Sequence, residues 1–257
     1  MTHQSNALKA LPFAGVDNLK VRLARGRSEV AEAQRMRYRV FYEELGARPT
    51  EKVRATGIDG DAFDEVCDHL LVLADDEVVG TYRLIRRAAA ARVGHFYSEA
   101  EFDIAPLLAV SGEVLELGRS CIDARWRHRG TLQLMWQGIG AYIARHRVRM
   151  MFGCGSLTGT DVSALAPVLA YLRDHHLAPP ELRARARSGR AVALPANDAP
   201  CAPRRVLPLL PPLLKGYLRV GAFVGDGAVI DEPFNTTDVL VILRTDDITD
   251  RYARRFG

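Results

Sequence analysis

The run from Glu113 to Arg147 constrains the fold more than any other part of the sequence. Its first part, EVLELGRSCID (113–123), has the length and apolar content of a buried strand. A basic turn, RWRHRG, follows, and residues 131–147 then place apolar side chains at helical spacing. A strand that passes through a short turn into a helix is typical of folds in which helices pack on a sheet.

The rest of the chain continues this alternation without an internal repeat. Further strands are predicted at 18–24, 69–75, 77–87, 150–157 and 238–245, and further helices at 28–46 and 160–176. The acidic turn between the strands at 69–75 and 77–87 predicts a hairpin. We therefore expect one α/β (α+β) domain over 18–257, with a disordered tail at 1–17 and a mobile insertion, rich in Ala, Arg and Pro, near 180–205.

Composition narrows the classes of function. With 257 residues, 48% of them hydrophobic and 26% charged, the chain has the make-up of a soluble globular protein. It contains no apolar run of the roughly 20 residues that cross a bilayer and no secretory signal, so a cytoplasmic location is expected. The four cysteines are widely separated and lack histidines at ligand spacing, so neither a disulfide framework nor a bound metal is expected.

The net charge is +4, and the cations are mostly arginines. Arginine-dense stretches suit a phosphate group, an acidic protein or an anionic membrane surface. Nucleic acid is not expected as a partner, because the arginines are not interleaved with aromatic residues and no reader motif is present.

Glu116 and Arg119 would point to opposite faces of a regular strand. A β-bulge, for which Gly118 is the natural site, would bring both to one side and free a backbone N–H for a bound carbonyl. The basic turn then leads into a helix start at Thr131, where N–H groups and guanidiniums together suit a phosphate. The pattern is typical of a site that binds a thioester carried on phosphopantetheine. Alternatively, Glu116 is a core carboxylate paired with a cation.

Several blocks of sequence, in one order, resemble a single family. They are RYRVFYEELGA (37–47), DAFDEVCDHLLV (61–72), VGTYRL (79–84), HFYSEAEFD (95–103), ELGRSCI (116–122), LMWQGIGAYI (134–143), FGCGSL (152–157), LLKGYLRVGA (213–222) and EPFNTTDVLVIL (232–243). The family is that of the GNAT-type N-acyltransferases of bacterial ornithine lipid synthesis, relatives of the acyl-homoserine-lactone synthases and of haemolysin-like proteins. The resemblance covers nearly the whole chain outside the first 17 residues and 180–205.

This resemblance implies transfer of a 3-hydroxy fatty acyl group from acyl carrier protein to the α-amine of L-ornithine, which gives lyso-ornithine lipid. It also implies a GNAT fold, with a central mixed, mostly antiparallel sheet flanked by helices. No cofactor is implied beyond the phosphopantetheine of the donor.

Positions shared with the homoserine-lactone synthases are implied to act in the site. Glu116 and Arg119 form an ExxR block and are the expected catalytic residues, with Glu116 as the base for the amine. The expected ornithine-binding residues are Arg37, Asp61, Asp64 and Arg83. Each role has an open alternative: an ion pair of Glu116 with Arg119 or Arg83, loop capping by the aspartates, and a solvated helix face for Arg37.

The donor needs a charged docking surface and an apolar tunnel. Expected contacts with pantetheine and the acidic carrier protein are Arg125, Arg127, Arg129, Gly130 and Thr131. Expected tunnel residues, each of which also suits ordinary core, are Phe41, Tyr82, Phe96, Trp136 and Phe152. Peripheral contact with an anionic membrane, at the inner face of the cytoplasmic membrane, is a further expectation.

Three other functions compete with ornithine acylation. Two are enzymatic: acyl-homoserine-lactone synthesis from S-adenosylmethionine, and N-acylation of another amino acid. The sequence ELGRSCI departs from the serine-arginine-phenylalanine of the lactone synthases, which favours the ornithine branch. The third is a membrane-active, haemolysin-like protein without catalysis, which the lack of a strongly amphipathic lytic segment disfavours.

Overall fold

The computed structural model describes residues 11–12, 19–187, 189–195 and 203–248. Their contacts divide them into two compact units. The first unit holds the residues up to Gly94 together with Leu117–Arg147. The second holds His95–Glu116 and the residues from Val148 onward.

The secondary structure alternates along the chain as the sequence pattern predicts. The strands are β1 (Leu11–Pro12), β2 (Leu19–Leu23), β3 (Asp68–Ala74), β4 (Glu77–Arg86), β5 (Phe102–Asp103), β6 (Glu113–Ile122), β7 (Val148–Thr158), β8 (Arg185–Ala186), β9 (Ala191–Val192), β10 (Phe223–Asp231) and β11 (Thr236–Arg244). The α-helices are α1 (Arg27–Tyr38), α2 (Glu51–Thr56), α3 (Arg87–Val93), α4 (Ala105–Leu108), α5 (Arg129–His146), α6 (Val162–His176), α7 (Pro203–Val206) and α8 (Pro212–Arg219).

In the first unit the strands lie in the order β1-β2-β3-β4-β6. The pairs β1–β2, β2–β3 and β3–β4 are antiparallel. Asp75 and Asp76, between β3 and β4, both have left-handed backbone angles, with φ of 46° and 72°. Two such residues match the twist of a tight hairpin, so the hairpin prediction is confirmed.

Helices α1 and α5 flank this sheet, α1 against β4 and α5 against β2 and β3. At Gly138, in α5, a Cβ atom would lie 2.7 Å from Val21 Cγ2 and 3.0 Å from Leu70 Cδ1, so the close approach depends on glycine. The helix expected over 28–46 divides in two: α1 passes into a π-helical stretch at Arg39–Glu44 before Gly46 ends it.

In the second unit β6 pairs in parallel with β7 through its first residues, up to Glu116. The pairs β7–β11 and β11–β10 are antiparallel. Helix α6 packs on β10, and α8 packs on β11. The mixed, mostly antiparallel arrangement with flanking helices is the one expected.

The short strands β8 and β9 lie in the insertion predicted near 180–205, and both pair with β10. The described part of that insertion is therefore anchored to the sheet. Residue 188 and residues 196–202 lie outside the described residues, as does most of the predicted tail at 1–17, of which Leu11–Pro12 pair with β2.

Candidate active site

A buried ion-pair network lies in the first unit between α1 and the loop that precedes β3. Arg37, at the end of α1, donates from Nη1 and Nη2 to the two carboxylate oxygens of Asp64, each at 2.9 Å. Its Nη2 also donates to the carbonyl oxygen of Asp59. Its Nε forms an ion pair with Asp59 Oδ2 at 2.8 Å, although the angle does not suit a hydrogen bond. Arg37 is therefore a buried cation held by two acids.

Arg83 and Arg119 extend this network. Arg83 Nη1 donates to both carboxylate oxygens of Asp61, at 2.7 and 2.8 Å. Arg119 places Nε 3.4 Å from Asp59 Oδ2 and Nη2 3.7 Å from Asp61 Oδ2. We call the set Arg37, Arg83, Arg119, Asp59, Asp61 and Asp64 the arginine–aspartate network. The structure thus brings together all four residues expected to bind ornithine and the expected catalytic Arg119.

Burial divides the network into an inner and an outer part. The side chains of Arg37 and Asp64 are 0% and 2% exposed, whereas those of Asp61 and Arg119 are 30% and 16% exposed. A charged ligand can therefore reach Asp61 and Arg119 more directly than Arg37. The alternative that Arg37 belongs to a solvated helix face is wrong, because α1 packs on β4 and turns this arginine inward.

The aspartates also carry the capping role that was the alternative to ligand binding. Asp61 accepts the backbone N–H of Phe63, and Asp64 accepts that of Asp61, so the two close a reciprocal capping box around the turn at Ala62–Glu65. Burial raises the pKa of Asp64, but the charge and hydrogen bonds of Arg37, and then Arg83, outweigh it and hold that pKa well below its usual range. Asp64 is therefore ionised at neutral pH.

Strand β6 departs from regular geometry at Arg119, whose φ is +51°. Gly118, the residue expected to allow a bulge, does not have a left-handed φ. The irregularity thus falls one residue later than predicted, on a residue with a Cβ atom, for which this conformation costs about 1–2 kcal/mol. The contacts of Arg119 with Asp59 and Asp61 accompany this strained backbone.

Glu116 lies in the second unit and is buried. The backbone N–H of Tyr97 donates to its Oε2 at 2.8 Å, and the backbone N–H of Ser98 donates to Oε1 at 2.7 Å. The hydroxyl of Ser98 donates to Oε1 as well. These donors stabilise the carboxylate and fix the turn at Tyr97–Ala100 against β6.

A second acidic group in the same unit was not expected from the sequence. Glu101 and Asp238 are buried, and together with Cys154 they place a carboxylate oxygen or sulfur within 4.8 Å of one another. Burial, followed by the charges of Asp238 and Asp231, raises the pKa of Glu101 to about 7. Perturbed acids of this kind are frequent in active sites. The only sequence signal was its place in the block HFYSEAEFD, which also contains Ser98.

Within the part of the chain that the structure describes, two groups of side chains have the residue types of a metal site. In the first, Asp64, Cys67 and His69 lie close together. The negative charge of Asp64 is already balanced by the positive charge of Arg37, and His69 Nε2 lies 3.0 Å from the carbonyl oxygen of Asp64. The second group is Glu101, Cys154 and Asp238, in which Cys154 donates its proton to Glu101 and is therefore a thiol, whereas a metal is bound by the thiolate. An arginine-paired carboxylate is a poor cation ligand, so the first group is better explained as part of the buried network.

The basic turn before α5 has its own acidic partners. Arg125 Nη2 lies 2.8 Å from Glu77 Oε1, and its Nε lies 3.0 Å from Asp123 Oδ1. Arg127 pairs with Glu44. Arg129 begins α5, although its side chain is not among those described.

The first turn of α5 lacks a side-chain cap from His128, the residue before it. Gly130 is half-buried in that turn, and Thr131 is buried. Uncapped N–H groups at the start of an 18-residue helix are the kind that hold an anion.

The aromatic residues expected to line an acyl tunnel fall into both units. Tyr82 is buried in the first unit, where Phe41 packs on the core between α1 and β3 and Trp136 is half-buried in α5. Phe96 and Phe152 are buried in the second unit and meet edge to face with ring centroids 5.2 Å apart. Each set also serves as ordinary core.

None of the described helices is long and apolar enough to cross a membrane. Residues 36–137 match the acetyltransferase (GNAT) domain family. This match and the mixed sheet with flanking helices show that the chain contains a GNAT-type acyltransferase domain.

Similarity to characterised relatives extends over almost the whole chain. The chain is 44% identical over 263 residues to an L-ornithine N(alpha)-acyltransferase of Agrobacterium fabrum, with 95% of this chain and 87% of that protein covered. It is 41% identical over 247 residues to one of Rhodobacter capsulatus, with 92% and 95% covered. The chain belongs to the family of L-ornithine N(alpha)-acyltransferases. Among solved structures, the crystal structure of the AHL synthase LasI aligns with a TM-score of 0.46 and 13% identity over 88% of this chain and 90% of that one.

Proposed function

We propose that this protein transfers a 3-hydroxy fatty acyl group from acyl carrier protein to the α-amine of L-ornithine and so forms lyso-ornithine lipid. The observation that carries the proposal is the 41–44% identity, over more than nine tenths of the chain, to relatives named for this acceptor and this nitrogen.

The charges of the arginine–aspartate network suit such an acceptor. Ornithine has two ammonium groups and one carboxylate, so its pocket needs acidic and basic side chains together. Asp61 and Arg119 offer one of each where the network is most exposed. In this proposal Asp61 binds an ammonium group and Arg119 binds the carboxylate. Arg83 holds Asp61 in place, and Asp59, which is paired with Arg37, contacts Arg119.

Amide formation requires a free amine. The α-ammonium loses a proton, its nitrogen attacks the thioester carbon, and the pantetheine thiolate leaves when the tetrahedral intermediate collapses. In this proposal Glu116 accepts the amine proton, as its place in the ExxR block implies. Its buried carboxylate is held in one orientation by the backbone N–H groups of Tyr97 and Ser98 and by the Ser98 hydroxyl. No step of this reaction needs a metal ion.

The donor is expected at the start of α5. The uncapped first turn, at Gly130 and Thr131, suits the pantetheine phosphate. Arg125 and Arg127 are exposed beside it and suit the acidic surface of a carrier protein. Carrier binding would then exchange the pairs with Glu77 and Glu44 for pairs with the carrier.

A lipid product also calls for delivery to a membrane, and we propose peripheral contact with an anionic one. Leu207 and Leu209 are exposed, and Arg204, Arg205 and Lys215 lie near them in sequence. Apolar side chains flanked by cations bind anionic lipid surfaces. Sedimentation with anionic vesicles, compared with neutral ones, measures this contact, and equal binding to both would contradict it.

The test of the activity is direct. Purified protein is incubated with 3-hydroxyacyl carrier protein and a panel of amino acids plus S-adenosylmethionine, and products are identified by mass spectrometry. N-acylornithine with release of holo-carrier is the expected result. Preferred acylation of another amino acid, or formation of a homoserine lactone, would replace the proposed activity with that one. If no product forms, the proposal that the protein acylates ornithine is refuted.

The matched variants are Glu116→Gln and Glu113→Gln, two glutamates on the same strand. Loss of a general base lowers turnover by about 10²- to 10⁴-fold, so Glu116→Gln should do so with carrier binding unchanged. Glu113→Gln should retain turnover. Near-normal turnover of Glu116→Gln would remove Glu116 from the proton step.

A further inference from the structure

A row of hydrogen-bonded side chains leads from Glu116 to Glu101 within the second unit. Ser98 Oγ donates to Glu116 Oε1. Cys154 Sγ lies 3.6 Å from Ser98 Oγ, a distance at which either atom can donate, and donates to Glu101 Oε2 at 3.5 Å. The Ser98 hydroxyl and the Cys154 thiol each have one proton, so rotation of the hydroxyl from Glu116 towards Cys154 completes the path between the two buried carboxyl groups.

The two ends of this path differ in how well they tolerate charge. Glu116 accepts two backbone N–H groups in addition to the Ser98 hydroxyl, and these donors favour its ionised form. Glu101 is 6% exposed and faces Asp238 and Asp231, which disfavour its ionised form, while Cys154 and Arg190 oppose them more weakly. Glu101 is therefore the end of the path at which burial and neighbouring negative charges favour a bound proton.

The thiol in the middle stays protonated. Burial, followed by the charges of Glu101 and Asp238, raises the pKa of Cys154 well above its ordinary value. A neutral thiol can donate one proton while it accepts another, and it is a poor nucleophile.

We propose that Glu101 is the final acceptor of the proton released by acyl transfer, and that Ser98 and Cys154 pass this proton to it from Glu116. The proposal rests on the proposed function, in which Glu116 takes a proton from the α-amine. Glu101 and Cys154 are positioning residues in this scheme, since they act through Glu116.

The proton balance requires such an acceptor. Conversion of an ammonium group into an amide N–H releases two protons, and the departing pantetheine thiolate takes up one. The other passes from Glu116 to Ser98 Oγ as Ser98 gives its hydroxyl proton to Cys154 Sγ and Cys154 gives its thiol proton to the Glu101 carboxylate. Glu116 is then ionised again, Ser98 and Cys154 each carry one proton as before, and Glu101 releases its proton to water before the next turnover.

The first test compares two substitutions of one residue. Cys154→Ala breaks the path and should lower kcat roughly tenfold or more with KM for ornithine unchanged, because a proton step is lost and no substrate contact is. Cys154→Ser keeps a group that donates and accepts, and should retain most of kcat. Cys121→Ala, a truncation of another buried thiol, should leave kcat unchanged. Equal kcat values for Cys154→Ala and Cys154→Ser would overturn the proposal.

The second test is the pH profile of kcat. Glu101 must be ionised to accept the proton, so kcat of the wild type should rise with pH through about 7 and then level. Glu101→Gln should lose this rise and have a lower kcat at high pH. A variant that keeps the wild-type profile would overturn the proposal.

A third test needs no substrate, so it separates this inference from the proposed function. Infrared spectra should contain a carboxylic acid band that titrates near neutral pH and is absent from Glu101→Gln. The S–H band missing from Cys154→Ala should shift over the same pH range. If the wild type acylates no ornithine, the proposed function is refuted. If the S–H band does not shift while Glu101 titrates, the proton path is refuted, whatever the activity.

Discussion

Replacement of Asp64 by asparagine keeps the shape of the side chain and removes its charge from the arginine–aspartate network. Asp64 accepts two hydrogen bonds from Arg37, each 2.9 Å long, and both side chains are buried. Hydrogen bonds to charged groups contribute about 1.5–3 kcal/mol each, and removal of one partner of a buried ion pair costs about 3–5 kcal/mol. Because Arg37 retains Asp59, we expect a loss of about 3 kcal/mol.

Urea unfolding measures this loss. A chain of this size has an m-value near 3 kcal/mol/M, so the midpoint should fall by about 1 M. The control is Asp246→Asn, since Asp246 lies 2.8 Å from Arg149 with side chains 66% and 56% exposed. An exposed pair contributes about 1 kcal/mol or less. Equal midpoints for the two variants would refute the assignment of stability to the buried network.

The same substitution has a distinctive pH dependence. The pKa of Asp64 is lowered in the folded protein, so the unfolded chain binds this proton first as the pH falls. The stability from the ionised carboxylate is therefore complete above about pH 5, and it is lost progressively as the pH falls from the ordinary aspartate pKa of about 3.9 towards the lowered pKa of the folded state. The difference between wild type and Asp64→Asn should shrink below that pH, and a difference that grows on acidification would contradict the argument.

Three further predictions concern other parts of the molecule. Glu101 has a raised pKa, so the folded state binds its proton more tightly; wild-type stability should fall by about 3 kcal/mol from pH 4.5 to 7, and Glu101→Gln should lack this fall in unfolding measured at each pH. In α5, Gly138→Ala should destabilise by about 1–3 kcal/mol because its Cβ meets Val21, whereas Gly140→Ala, with open space around it, should stabilise by about 0.5–1 kcal/mol; similar midpoints for the two would contradict the close approach. Arg127→Glu should raise KM for acyl carrier protein several-fold at low salt with kcat unchanged, and a KM that does not respond to salt would exclude electrostatic docking.

Local patterns predicted the elements best. The hairpin of β3 and β4, the strand β6 and the helix α5 follow from apolar spacing and turn residues that lie within each segment. The division of the first long helix into α1 and a π-helical stretch was not predicted, because the extra residue in the turn leaves the apolar spacing nearly unchanged.

The site was predictable only in part. The resemblance predicts that Arg37, Asp61, Asp64 and Arg83 share one pocket. The structure brings these four residues together, with Arg37 bonded to Asp64 and Arg83 bonded to Asp61. Glu101 was missed because its properties arise from Asp231 and Asp238, on strands more than a hundred residues away in sequence. Burial and like charges at such a distance have no local signature.

The interleaving of the two units along the chain affects the order in which the protein can fold during synthesis. The first unit needs Leu117–Arg147, and therefore β6 and α5, before its sheet and helices are all present. Residues 95–116 emerge from the ribosome before Leu117–Arg147. The start of β6, within 95–116, cannot pair with β7 until β7, which begins at Val148, has been synthesised. At roughly 5–20 residues per second, Glu101 waits about 7–27 seconds for Asp238, on β11. In a nascent chain, the first unit should thus become resistant to proteolysis well before residues 95–116 do.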